Sequence, residues 1–176
     1  MSNFNKYLPK EFLAEGTVFE NDPTDSAGAT RFGLITDDLH EYGLGTNSDG
    51  IIDYKDVMAL TPETAAKVLK KLYWDYFKAD TINNQSVAEF FVDGGLTQGR
   101  ILIAKYVQSS LGVTVDGIIG SQTIAAINTD NNIEAVFNQV YQLRKKRYLA
   151  IVKAKPSQKK YIRGWLNRLN IIKFVI

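Results

Sequence analysis

The sequence predicts a mainly α protein: a helical domain carrying one small β-hairpin. Three observations lead there. Apolar residues recur at three- and four-residue spacing over most of the 176 positions. Capping and stop residues stand at the ends of those stretches. Only one segment, Thr17 to Thr36, leaves the helical period and alternates instead. Hydrophobic residues make up 45% of the chain and charged residues 23%, a balance that rules out disorder and lets one core form without cross-links.

Each element has its local reason. Phe4, Tyr7, Leu8, Glu11, Phe12 and Glu15 share one side of a first helix, which Gly16 ends. Val18 and Phe19, the turn-rich run Asn21 to Gly28, and alternation through Thr30, Phe32 and Leu34 then read as the hairpin. His40 falls on a short polar helix as a surface residue. Thr61-Pro62 opens a helix in cap-then-first-position order and turns Ala65, Val68, Leu69, Leu72, Tyr73 and Tyr76 inward. Ser86 and Glu89 predict a capping box before Phe90 and Phe91, with Asp93-Gly94-Gly95 ending that helix. A helix over 98–111 stops at Gly112, and a short one starts near Ser121 after the turn Val115 to Gly120. A long helix runs from about 132 to 155 and stops at Pro156, and a last one over 157–170 presents Tyr161, Ile162, Trp165, Leu166 and Leu169. No repeat and no long linker divides the chain, so regions 1–93 and 94–176 are expected to pack as one compact unit.

Composition excludes several kinds of chemistry. Zero cysteines exclude a disulfide scaffold, a thiolate zinc site and thiol catalysis, and one histidine excludes a His-rich metal centre. No apolar run approaches the ~20 residues that span a bilayer, and the N-terminus lacks the apolar stretch of a secretory signal. The expectation is a monomer without a transmembrane segment, made in the cytoplasm without a signal peptide. Residues 1–134 hold all 19 acids and ten bases, a net charge of −9, while eleven bases and no acid follow Glu134. Such a division points to an anionic polymer or surface, or to two solvated helix faces.

The densest cluster of functional side chains runs from Glu15 to Gly33. A carboxylate in the last turn of a helix lies beside unpaired carbonyls, where the dipole disfavours negative charge. Apolar neighbours, for which Phe19 and Phe32 are candidates, push the same way. Both effects keep a proton on Glu15 near neutrality, the state a general acid needs. The hairpin would return Asp22, Asp25 and Thr30 toward the helix end. A proton-bearing carboxyl facing an ionised carboxylate across a cleft hydrolyses glycosides. The plainer alternative makes Asp22 and Asp25 turn residues around Pro23 and Glu15 a solvated helix end.

The run from Glu15 through Asn21-Asp22-Pro23, Asp25, Gly28, Thr30 and Gly33 resembles the signature of glycoside hydrolase family 108, lysozyme-like N-acetylmuramidases. Leu72-Tyr73-Trp74-Asp75 is similar to a further stretch of that family. Val107-Gln108, Leu111-Gly112-Val113, Val115 to Gly120, Thr123, Arg147-Tyr148 and Gly164 to Arg168 resemble the peptidoglycan-binding region that accompanies it. The likeness covers nearly the whole chain in order. It implies an α+β lysozyme-like fold, with 1–93 catalytic and 94–176 peptidoglycan-binding. It also implies a muramidase that cleaves β-1,4 bonds between N-acetylmuramic acid and N-acetylglucosamine, with Glu15 the catalytic acid and no cofactor. Thr17, Ala27 and Ala29 depart from the pattern, which changes hairpin backbone but removes no candidate side chain. Phage-type lysozymes often place an acid nine residues after the Glu and a Thr fifteen after. Here Thr30 fits, Thr24 occupies the acid's position, and Asp22 and Asp25 flank it. Asp25 with Thr30 is the expected water-activating pair, with Asp22 in reserve and close to substrate.

The remaining signals are weaker. By the same resemblance Asp93 and Gly94 face the glycan groove, with a plain helix terminus as the alternative. Tyr73 and Trp74 offer apolar faces for sugar stacking, although their spacing suits the core. Asn47 to Asp56 imitates a calcium loop, but Gly45 stands where a first carboxylate belongs and Asp56 replaces the longer closing Glu. No metal site is expected. The partner is peptidoglycan glycan, with anionic wall polymers for the basic segment and no nucleic acid, since no nucleic-acid motif occurs. Action at the wall or periplasm, as an endolysin-like bacteriolytic enzyme, would need a holin or dedicated export. Two competitors remain: a non-catalytic wall-binding or secretion-associated module, and a lytic transglycosylase.

Overall fold

Helix α1, Phe4–Glu15, opens the computed structural model, which describes residues 1–21, 28–47 and 49–176. The chain divides into two compact units, Asn3–Tyr76 and Phe77–Ile176 with Met1–Ser2. Mainly helical structure with, among the described residues, one two-stranded antiparallel sheet is what the periodicity implied.

In the first unit Asn3 caps α1, its side-chain oxygen accepting the Asn5 N–H at 2.8 Å. Pro9 lies inside the helix and removes one backbone donor. Packing compensates, because Phe4 and Tyr7 close around the fully buried Trp74 at ring separations of 5.5 and 5.6 Å. Strands β1, Thr30–Arg31, and β2, Leu34–Ile35, pair with Thr30 opposite Ile35 and Arg31 opposite Leu34. Helix α2 spans Thr36–Tyr42, and α3 spans Tyr54–Ala59 behind an Asp53 cap. Helix α4, Pro62–Leu69, starts at Thr61 as expected. It then widens into one π-helical turn over Lys70–Trp74. Leu72, Tyr73 and Trp74 in this turn are all buried.

The second unit contains α5, Gln85–Gln98; α6, Arg100–Leu111; α7, Ser121–Thr129; α8, Ile133–Ala154; and α9, Ile162–Leu169. Helices α5, α6 and α8 pack together and bury Val87, Phe90, Phe91, Ile103, Val107 and Val140, and α9 lies on α8. The expected capping box is corrected here: Asn84 caps α5 by accepting the Val87 N–H at 3.0 Å. Ser86 instead grips the C-terminal tail, donating to the Val175 carbonyl at 3.2 Å and accepting its N–H at 3.0 Å. Asp93-Gly94-Gly95 does not end the helix either, since α5 continues to Gln98. Residues 157–161 lie in a 3₁₀ stretch before α9 rather than in one continuous α-helix. The Val115–Gly120 turn is structural, with the Gln108 amide donating to Asp116 and Ile118 and accepting from Gly117. No helix among the described residues is long and apolar enough to cross a membrane.

Candidate active site

Glu15 is the last residue of α1, and Gly16, at φ 76, closes the helix with its N–H on the Phe12 carbonyl. Two residues, Phe32 and Gly33, connect β1 to β2. Their φ values are 55 and 74, and a two-residue hairpin of the primed type requires positive φ at both places. Glycine takes that conformation freely. A bulky aromatic does so only at a cost of order 1–3 kcal/mol, which the surroundings must offset. Burial offsets it: Phe32 is 1% exposed, with its ring 4.9 Å from that of Phe12 on the last turn of α1. The Arg31 guanidinium lies 5.3 Å from the Phe32 ring centre. It donates to the Thr17 carbonyl at 3.1 Å and to the Met58 carbonyl, tying the hairpin to the helix exit and to α3.

This anchoring brings the turn onto the half-buried Glu15 side chain. A Cβ built on Gly33 would lie 2.7 Å from Glu15 Cγ and 2.9 Å from Cδ, so only glycine fits against the carboxyl. Thr30 occupies the middle of the β ribbon. One edge of its backbone exchanges hydrogen bonds with Glu20 at 2.8 and 2.9 Å, and the other pairs with Ile35. Glu15 and Thr30 thus belong to one unit and to a tightly connected piece of it. Asp22 and Asp25 lie outside the described residues.

The other expected site residues sit differently. Trp74 has no exposed surface, and Tyr73, 7% exposed, donates its O–H to Asp38 at 2.5 Å. Neither ring offers a face to a sugar, which corrects the stacking expectation: the π turn folds both into the core. Asp93, 4% exposed in the second unit, binds Arg144 at 2.5 Å through one oxygen and Arg168 at 2.8 Å through the other. A Cβ on the buried Gly94 would meet Ile103 at 3.1 Å and Arg144 at 3.3 Å. Asp93 and Gly94 therefore hold α5, α6 and α8 together instead of facing a groove.

Sequence reasoning passed over the Phe32-Gly33 turn as the seat of Glu15. Asn-Gly or Asp-Gly is the usual signal for such a turn, and Phe-Gly carries none. It also left Glu11 unassigned. Glu11 sits one turn before Glu15, is 2% exposed, and accepts the Tyr7 O–H at 2.6 Å. At the end of the calcium-like run, Asp53 caps α3. The fully buried Asp56 carboxylate accepts N–H bonds from Thr46, Asn47 and Asp53 and the Thr46 hydroxyl. Burial pushes its pKa up, the three backbone donors outweigh burial, and the result is about 2. Among the described residues no group of three or more carboxylate or imidazole side chains is placed to hold a metal.

The glycosyl hydrolase 108 model matches residues 10–99, half of the chain. The chain belongs to the glycosyl hydrolase 108 family. A second model, described as a Predicted Peptidoglycan domain, matches residues 100–170 of this glycosyl hydrolase. The two matches meet at Gly99, the residue between α5 and α6. Among solved structures, that of Brucella abortus SagA is similar at a TM-score of 0.79 and 25% identity, over 96% of this chain and 90% of that one. No curated protein sequence matches significantly. The protein is a glycoside hydrolase with a lysozyme-like fold, its substrate is peptidoglycan, and it acts at the cell wall.

Proposed function

We propose that this hydrolase is an N-acetylmuramidase whose general acid is Glu15, cutting the β-1,4 bond between N-acetylmuramic acid and N-acetylglucosamine. The observation that carries the reading is the seat of Glu15, a carboxyl at the carbonyl end of α1 held against the Gly33 backbone. In that role Glu15 carries its proton when the glycan binds. That proton passes to the bridging oxygen as the bond to the sugar's anomeric carbon breaks. Asp25, supported by Thr30, takes the proton of the attacking water, and Asp22 is its substitute. A carboxyl separation of ~6.5–9.5 Å gives inversion, and one of ~5–5.5 Å gives retention. The basic C-terminal segment adds a salt-dependent attraction to anionic wall polymers, screened over ~8–10 Å. A bacteriolytic, endolysin-like role follows if the chain reaches the wall by a holin or a dedicated exporter.

Purified peptidoglycan incubated with the protein tests this reading. New reducing ends should appear, and Glu15→Gln should lower their rate by roughly 10²–10⁴-fold. Products with 1,6-anhydro ends would instead assign a lytic transglycosylase, in which the sugar's own hydroxyl attacks.

A further inference from the structure

A groove of about 480 Å³ runs between α6 and α8 in the second unit, within the roughly 300–1,000 Å³ typical of small-ligand sites. Its lining on α8 comes from Leu143, Lys146, Arg147, Ala150 and Ile151, spaced so that one helix face forms the floor and rim. Ala154 extends the floor, and Tyr106 closes the opposite wall from α6. The aliphatic side chains make an apolar trough, and the two alanines keep it open. Lys146 and Arg147 are exposed, and no acid follows Glu134 to neutralise them. Arg144 is different: it turns inward to Asp93 and belongs to the core.

We infer that this groove binds the acidic stem peptides of peptidoglycan, with Lys146 and Arg147 taking peptide carboxylates and the aliphatic floor taking alanine methyls. The inference rests on the peptidoglycan reading above. Charge complementarity selects an anion, because two adjacent cations have no acid on the same helix segment. The floor selects among anions. A phosphate polymer would meet the cations but leave Leu143, Ala150 and Ile151 unused. A neutral glycan would leave both cations unused. A short peptide with free carboxylates and small apolar side chains uses all of them, with Tyr106 lining the other wall. Such a site would hold the enzyme on the wall by a part of the substrate that the glycosidic chemistry does not touch.

Titration calorimetry on the full chain tests this with four probes: the free tetrapeptide L-alanyl-γ-D-glutamyl-diaminopimelyl-D-alanine, the same peptide with its carboxylates amidated, an N-acetylglucosamine oligomer, and poly(glycerol phosphate). The free tetrapeptide should bind, and amidation should weaken it tenfold or more. The double variant K146E/R147E should do the same, as should Ala150→Phe, which fills the trough. Hydrolysis of glycan stripped of its peptides by wild type reads the glycosidic chemistry separately from peptide binding. Tetrapeptide binding that is absent, or indifferent to charge reversal, overturns the proposal, as does tighter binding of the phosphate polymer or the sugar oligomer at this face. If Ala150→Phe fails to fold, the charge-reversal variant, altered only at exposed positions, still decides. Failure of wild type to cut stripped glycan would count against the muramidase reading and leave the calorimetric result standing.

Discussion

Gly33 does two jobs that no other residue does together, and they separate by substitution. Gly33→Ala puts a methyl 2.7 Å from Glu15 Cγ in a backbone with φ 74, so the carboxyl must move. A displacement of about 1 Å costs on the order of 10²-fold in rate, and reducing-end release should fall by that factor. Gly28→Ala is the control. Its φ is 76 but among the described residues nothing lies within 4 Å of the added Cβ, so it should lose about 1–2 kcal/mol of stability and keep most of its activity. Asp56 makes a residue-scale prediction in pH. Its folded pKa, about 2, lies below the ordinary carboxylate value, so its contribution is complete above that ordinary value, near 4. It is lost as pH falls from about 4 toward 2. Asp56→Ala should cost roughly 2–3 kcal/mol at neutral pH in a denaturant titration and flatten the acid limb of the stability profile. Glu15, Gly16 and Gly33 were legible as a cluster because their residue types are specific. Phe32 was legible only as an apolar neighbour, because its positive φ follows from a two-residue connection rather than from its own preference.

At the level of elements, capping and periodicity located most helices, and the errors have physical causes. Ser86 and Glu89 match a capping box in spacing, but Asn84 lies two residues earlier and its amide oxygen reaches the Val87 N–H first. Asn84→Ala should therefore cost about 1 kcal/mol as a lost cap. Ser86→Ala should leave α5 intact and release the tail, seen as faster amide exchange at Val175. The π turn at 70–74 was invisible because periodicity assumes a regular helix. It carries the run Leu72-Tyr73-Trp74, all three buried. The same run made Tyr73 and Trp74 look available to a ligand.

Over the whole chain, charge bookkeeping found the division at Glu134 but not the destination of each cation. Two of the eleven late bases, Arg144 and Arg168, share Asp93, and Arg144 is fully buried with its guanidinium 4.5 Å from the Phe90 ring centre. Arg144 also donates to the Phe90 carbonyl and the Thr97 hydroxyl, so α5 and α8 are joined by an ionic cluster inside an apolar core. Removing the shared carboxylate strands a fully buried guanidinium: Asp93→Ala should destabilise the protein by roughly 3–5 kcal/mol in thermal or denaturant unfolding. No periodicity rule marks an inward arginine, because its neighbours on α8 are just as basic. The most direct test of the central claim is the rate of reducing-end release from purified peptidoglycan by wild type and by Glu15→Gln at equal folded concentration. A loss of at least 10²-fold with unchanged stability is the predicted result, and equal rates in the two proteins would contradict the account.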